Sequence, residues 1–124
     1  MTANIVKTSG GYSLDEIATG ETWIDGKPIY RKVYSFDELP LGGRIAVGTI
    51  TDLDFCVRLY GVAYKESNHN FRPLPFAGTK VQNGQTVCND IRLCIVTNNT
   101  IEVETFDPDW ANYAGYVIAE YTKV

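Results

Sequence analysis

At 124 residues the chain fits one domain and is long enough to bury a real core unaided. A hydrophobic content of 44% with 12% aromatics excludes global disorder, and 15 acidic against 11 basic residues, a net charge of -4, leaves no clustered positive face for nucleic acid. Met1-Thr2-Ala3-Asn4 lacks the basic start of a signal peptide and apolar runs are only a few residues long, so no membrane insertion and synthesis in a cytoplasm are expected.

Residues 1–13 read as an N-terminal arm or linker, with Ile5 and Val6 ahead of the flexible joint Ser9-Gly10-Gly11. Residues 14–124 are expected to form a single domain. Ser13 with Glu16 three positions on has capping-box spacing, and Gly20 close behind limits the prediction to one helical turn. In the run Trp23-Ile24-Asp25-Gly26-Lys27-Pro28-Ile29-Tyr30-Arg31-Lys32, Asp-Gly sets a tight turn between extended arms, because glycine tolerates the positive φ of a hairpin turn. Pro28 suits a strand's first residue. Ile29–Phe36 then alternates with period two, the mark of a strand, and Trp23 is expected in the core.

After the Leu39-Pro40-Leu41-Gly42-Gly43 turn, Arg44–Thr51 and Phe55–Lys65 read as strands. The second is apolar on both faces, so it should lie centrally or meet a partner subunit. Lys65–Asn70 is a polar loop, and the proline-limited Phe71–Phe76 suits a sheet edge. Asn83-Gly84 is the strongest hairpin signal in the chain. Ile91–Thr97 and Thr100–Thr105 form a second hairpin about Asn98-Asn99, with Ile101 and Val103 inward, Glu102 and Glu104 outward, as on a half-buried edge. Phe106–Trp110 is a loop and Tyr116–Val124 the last strand. About eight short strands with turns roughly every ten residues predict an all-β fold, an antiparallel β-sandwich of jelly-roll type.

Two segments carry a resemblance. The Trp-x-Asp-Gly-Lys-Pro-Ile-Tyr-x-Lys run at Trp23–Lys32 and the closing Gly115-Tyr116-Val117-Ile118-Ala119-Glu120-Tyr121-Thr122-Lys123 resemble small domains of phage and prophage tail proteins. The resemblance implies a virion component of a tail fibre, tail spike or baseplate, often trimeric. It implies no enzyme and brings no catalytic residues. Between about Gly42 and Asp109 no motif matches.

Candidate chemistry is sparse. Asp107 and Asp109 flank Pro108 ahead of Trp110, a pairing that invites a glycosidase reading, yet Asp-Pro-Asp is also ordinary turn composition. Asp52 and Asp54 are turn residues rather than a calcium loop, since the full acidic repeat is missing. Cys56, Cys88 and Cys94 form no Cys-x-x-Cys pair and read as small buried hydrophobes. His69 is the single histidine, so no metal and no cofactor is expected.

The aromatics carry more weight. Eight tyrosines, two tryptophans and five phenylalanines exceed what so small a core needs. Tyr30, Tyr34, Tyr60 and Tyr64 are candidates for an oligomer interface, and Asn68, His69, Trp110, Asn112 and Tyr113 for exposed ligand-binding positions on loops. The leading expectation is a non-enzymatic virion domain, a homotrimer among other phage tail proteins, that attaches to a bacterial surface glycan or protein receptor. A structural trimerisation or connector domain and an accessory domain of a glycan depolymerase are the alternatives.

Overall fold

The computed structural model describes residues 11–124, so the expected arm lies outside the described residues apart from Gly11, Tyr12 and Ser13. Ten strands follow in order: β1 (Ile17–Thr22), β2 (Pro28–Phe36), β3 (Gly43–Thr49), β4 (Leu53–Lys65), β5 (Asn70–Leu74), β6 (Thr79–Gln82), β7 (Gln85–Cys88), β8 (Ile91–Val96), β9 (Thr100–Thr105) and β10 (Ala114–Lys123). A five-stranded sheet in the order β1-β2-β10-β4-β5 faces a three-stranded sheet in the order β3-β9-β8, with β6 and β7 paired apart. Every pairing is antiparallel, and β10 inserts between β2 and β4 as β9 inserts between β3 and β8. The fold is an all-β sandwich. No helix among the described residues is long and apolar enough to cross a membrane.

Local chemistry explains the turns. Gly26 takes φ +88° as its N–H donates to Trp23 O at 2.9 Å, closing the β1–β2 hairpin. Asn83 and Gly84, at φ 52° and 78°, make the primed turn of the β6–β7 hairpin. Asn98 and Asn99 both occupy the left-handed region between β8 and β9, as their short amide side chains allow.

The core lies between the sheets. Tyr34, Phe36, Ala63, Val117, Ala119 and Tyr121 of the larger sheet meet Ile101 and Val103 of β9, while Ile45, Val47, Leu93 and Ile95 pack around them. Tyr34 covers Gly48 so closely that a Cβ there would lie 2.3 Å from its ring, which binds β2 to β3. Burial pushes the Tyr34 hydroxyl up to about 12. Tyr34 therefore belongs to the core, and Tyr30 packs against it, 6.4 Å from the Tyr121 ring. Tyr34 is thus corrected from an interface position to the core, while Tyr30 keeps part of its surface open.

Other expectations are corrected as well. Ser13 Oγ accepts the Asp15 N–H at 3.0 Å, but the chain bends into β1 instead of turning helically. Trp23 is half-buried outside the core, stacked 5.5 Å from Phe55, while Lys27 of the same hairpin pairs with Asp54 at 2.7 Å. β9 is the middle strand of its sheet, not an edge, because β3 arrives to pair Arg44 with Glu102 and Glu104. Cys88 is exposed, whereas Cys56 and Cys94 are half-buried.

Just ahead of β1, the Glu16 carboxylate accepts from the Tyr121 hydroxyl and from Lys123 Nζ at 2.7 Å. Partial burial alone would raise Glu16, but the Lys123 and Tyr121 hydrogen bonds hold it below the ordinary glutamate value. A carboxylate depressed on folding stabilises the fold above its unfolded pKa of about 4.3, and that stability is lost as pH falls through the folded value. The urea midpoint of Glu16→Gln is expected to lie below that of the natural chain at neutral pH, with the gap closing under about pH 4. A gap independent of pH would refute the role of this ion pair.

Candidate functional site

The face of the larger sheet turned away from the core is built in rows by strand register. Arg31, Glu120 and Arg58 form one row, Val33, Ile118 and Tyr60 the next, and Ser35, Tyr116, Val62 and Pro73 the third. Period-two alternation sends these residues outward while Tyr34, Val117 and Ala63 point in.

The first row is ionic. The buried Glu120 carboxylate accepts from Arg31 Nε at 2.9 Å and from the Tyr60 hydroxyl at 2.8 Å, with Arg58 Nη1 at 3.8 Å. Burial, with Tyr12 and Glu120 alongside, pushes the Tyr60 hydroxyl well above its ordinary value and keeps it a neutral donor. Arg31 also donates to Gly11 O at 2.9 Å and lies 4.7 Å from the centre of the Tyr12 ring. Tyr60 is thus committed to Glu120.

Beyond it the face is apolar. Tyr12, Ser13 and Leu14 border a groove of about 390 Å³ floored by Val33, Val62, Tyr116 and Ile118. Past the groove stands a shelf of three rings, one each from β10, β4 and β5. Tyr116 and Tyr64 have centroids 6.1 Å apart with planes 20° from parallel, and Tyr64 and Phe71 are 6.2 Å apart at 29°. Phe71 is 59% and Tyr116 40% exposed. A trough of about 310 Å³ runs along the shelf, lined by Val62, Tyr64, Glu66, His69, Phe71 and Tyr116. Its polar end is the one-turn 3-10 segment Glu66–Asn68, closed by His69 at φ 54° with its N–H on Glu66 O at 3.3 Å. The neighbouring Tyr116 hydroxyl first, then burial and the Glu66 and Asp37 carboxylates, raise the Tyr64 phenol, so it remains a neutral hydrogen-bonding group. Parallel faces with hydrogen-bonding edges suit a flat, partly polar ligand.

The structure gathers the five predicted loop residues at this end of the sandwich, since Lys65 pairs with Asn70 and Tyr64 with Ala114. It exposes only three of them. Asn68, His69 and Asn112 are exposed, and of these His69 lines the trough. Trp110 and Tyr113 are each 5% exposed and close the end of the core, a correction to their expected place on the surface. Their rings meet edge-on at 5.1 Å, Phe76 meets Trp110 at 5.5 Å, and the indole N–H donates to Asn89 O at 2.8 Å. Asn70 Nδ2 reaches the Tyr113 hydroxyl at 3.4 Å. Tyr64, expected at a subunit interface, stands in the shelf. The sequence does not single out Phe71, Tyr116 or Glu66; alternation along β10 is the signal that could have found Tyr116, whereas Phe71 joins the shelf only through its register with Tyr64.

The paired carboxylates are occupied. Lys80 Nζ sits 2.7 Å from Asp107 and 2.9 Å from Asp109, and Asp107 Oδ1 accepts the Asp109 N–H at 2.8 Å. Burial alone would raise Asp107, but Lys80 and the Asp109 N–H hold it below the ordinary aspartate value. That is the opposite of the raised pKa a glycosidase general acid needs. Asp54 is tied to Lys27, and among the described residues no group of three or more His, Cys, Asp or Glu side chains could hold a metal ion.

Comparison with models of known families, with curated proteins and with solved structures gave no match.

Because Trp110 fills the core's end, Trp110→Ala is expected to cost about 3–5 kcal/mol in urea unfolding. A loss under about 1 kcal/mol would return it to the surface.

Proposed function

We propose that this chain is a non-enzymatic domain of a phage tail (fibre, spike or baseplate), assembled as a homotrimer with other tail proteins and contributing to attachment to the bacterial surface. The observation that carries the attachment role is the exposed Tyr64–Phe71–Tyr116 shelf on a rigid sheet. Exposed apolar patches framed by polar groups mark interaction sites. The tail setting is supported by the resemblance of the segments at Trp23–Lys32 and Gly115–Lys123. In the fold these lie side by side, with Tyr30, Arg31 and Lys32 opposite Tyr121, Glu120 and Ala119. They form a scaffold, consistent with a shared fold on which receptor contacts differ.

The second reading, a trimerisation or connector domain, is favoured by the groove beside the shelf. Leu14 is exposed there over the apolar floor of Val33, Val62 and Ile118, surface of the kind symmetric oligomers bury.

Native mass spectrometry together with binding of the labelled chain to cells of a host strain separates the two. Attachment predicts saturable binding that unlabelled chain displaces. A trimer that binds no cells, and that Ile118→Asp turns into monomers, would favour the connector.

A further inference from the structure

We propose that the trough beside the aromatic shelf is a binding site for an uncharged saccharide, one or two pyranose rings at a time. This rests on the attachment reading for its biological setting and names the ligand class of that same surface. The argument has three parts. Its volume of about 310 Å³ is at the small end of ligand sites, enough for a sugar unit and short for a folded partner. The rings of Tyr116, Tyr64 and Phe71 stack near-parallel across three strands, with Phe71 59% and Tyr116 40% exposed, rigid aromatic area for the C–H face of a pyranose at little loss of conformational entropy.

The third part is the rim. Glu66 offers a carboxylate acceptor, His69 an imidazole, and the two tyrosines phenol hydroxyls, groups able to hydrogen-bond the hydroxyls of a sugar. Among the described residues no lysine or arginine lines the trough, and both Glu66 and Asp37 bias the potential around Tyr64 negative. An acidic polymer such as a uronate or sialate chain is therefore repelled, whereas a neutral one is not. An apolar peptide or acyl chain offers no donor to the exposed Glu66 carboxylate at the rim. A neutral sugar supplies that donor.

The test is titration of the isotopically labelled full chain, followed by amide NMR, with gluco-, galacto-, manno- and N-acetylglucosamine oligosaccharides and an oligogalacturonate at millimolar concentration. Shifts confined to residues 62–71 and 114–118 with at least one neutral sugar, and none with the uronate, are expected. Phe71→Ala and Tyr116→Ala should each weaken that binding about tenfold. Both positions are exposed, and Phe106→Ala, an exposed aromatic elsewhere, should leave binding unchanged. Glu66→Gln is expected to weaken the neutral sugar and relieve exclusion of the uronate. Silence with every neutral sugar, preference for the uronate, or equal binding by Phe71→Ala would overturn the proposal. Cell binding without saccharide binding would leave the attachment reading standing on a protein receptor, and saccharide binding without cell binding would do the reverse.

Discussion

The insertion of β10 between β2 and β4 is the constraint on which the rest of the structure depends. It pairs from Gly115 to Tyr121 with β2 and along its length with β4, so the larger sheet is continuous only through it. The fit is tight. A Cβ on Gly61 would lie 2.1 Å from Tyr116 O, and one on Gly115 would lie 2.3 Å from Val62 O. One strand thereby supplies the inner wall, through Val117, Ala119 and Tyr121, and the outer face, through Tyr116, Ile118 and Glu120. Pairings between residues near positions 30 and 120 close long loops, which places this sandwich among slow-folding topologies.

How much of this was legible in the sequence depended on distance along the chain. Asn83-Gly84 and Asn98-Asn99 marked their hairpins because the left-handed region is a local requirement. Ile101 and Val103 were read inward from alternation, also a local property. β1 was missed: Ile17–Thr22 carries no apolar alternation, and its strand conformation comes from pairing with β2. β9 was placed on an edge because only its own side chains were visible, while Arg44, some sixty residues earlier, supplies the partner for its two glutamates. The same reason explains Trp110 and Tyr113. Asp-Pro-Asp makes their segment look like a surface loop, and the groups that enclose them, Phe76, Asn89 and Asn70, come from other elements.

The site and the scaffold share Tyr116 and otherwise occupy different parts of the chain. The motif-bearing segments combine into paired strands and the Arg31–Glu120 ion pair, whereas Tyr64, Glu66, His69 and Phe71 lie in the middle stretch where no motif matched. Strand alternation identified Tyr64 as outward and loop composition identified His69, yet their assembly with Tyr116 needed the register of three strands. A scaffold that holds its shape through one set of residues leaves another free to change what is recognised.

The β6–β7 hairpin is built on the same separation. It belongs to neither large sheet, its tip residues are exposed, and Val81 is 74% open to solvent. Lys80 anchors it to Asp107 and Asp109, and the Phe76–Ile91 bridge pins the chain where it leaves and returns. The tip of the hairpin, between Val81 and Thr86, is thus a cassette on a fixed base, since Lys80 and Asn89 below it hold Asp107 and Trp110. A peptide grafted at Asn83-Gly84 would be displayed on a mount already folded to carry it.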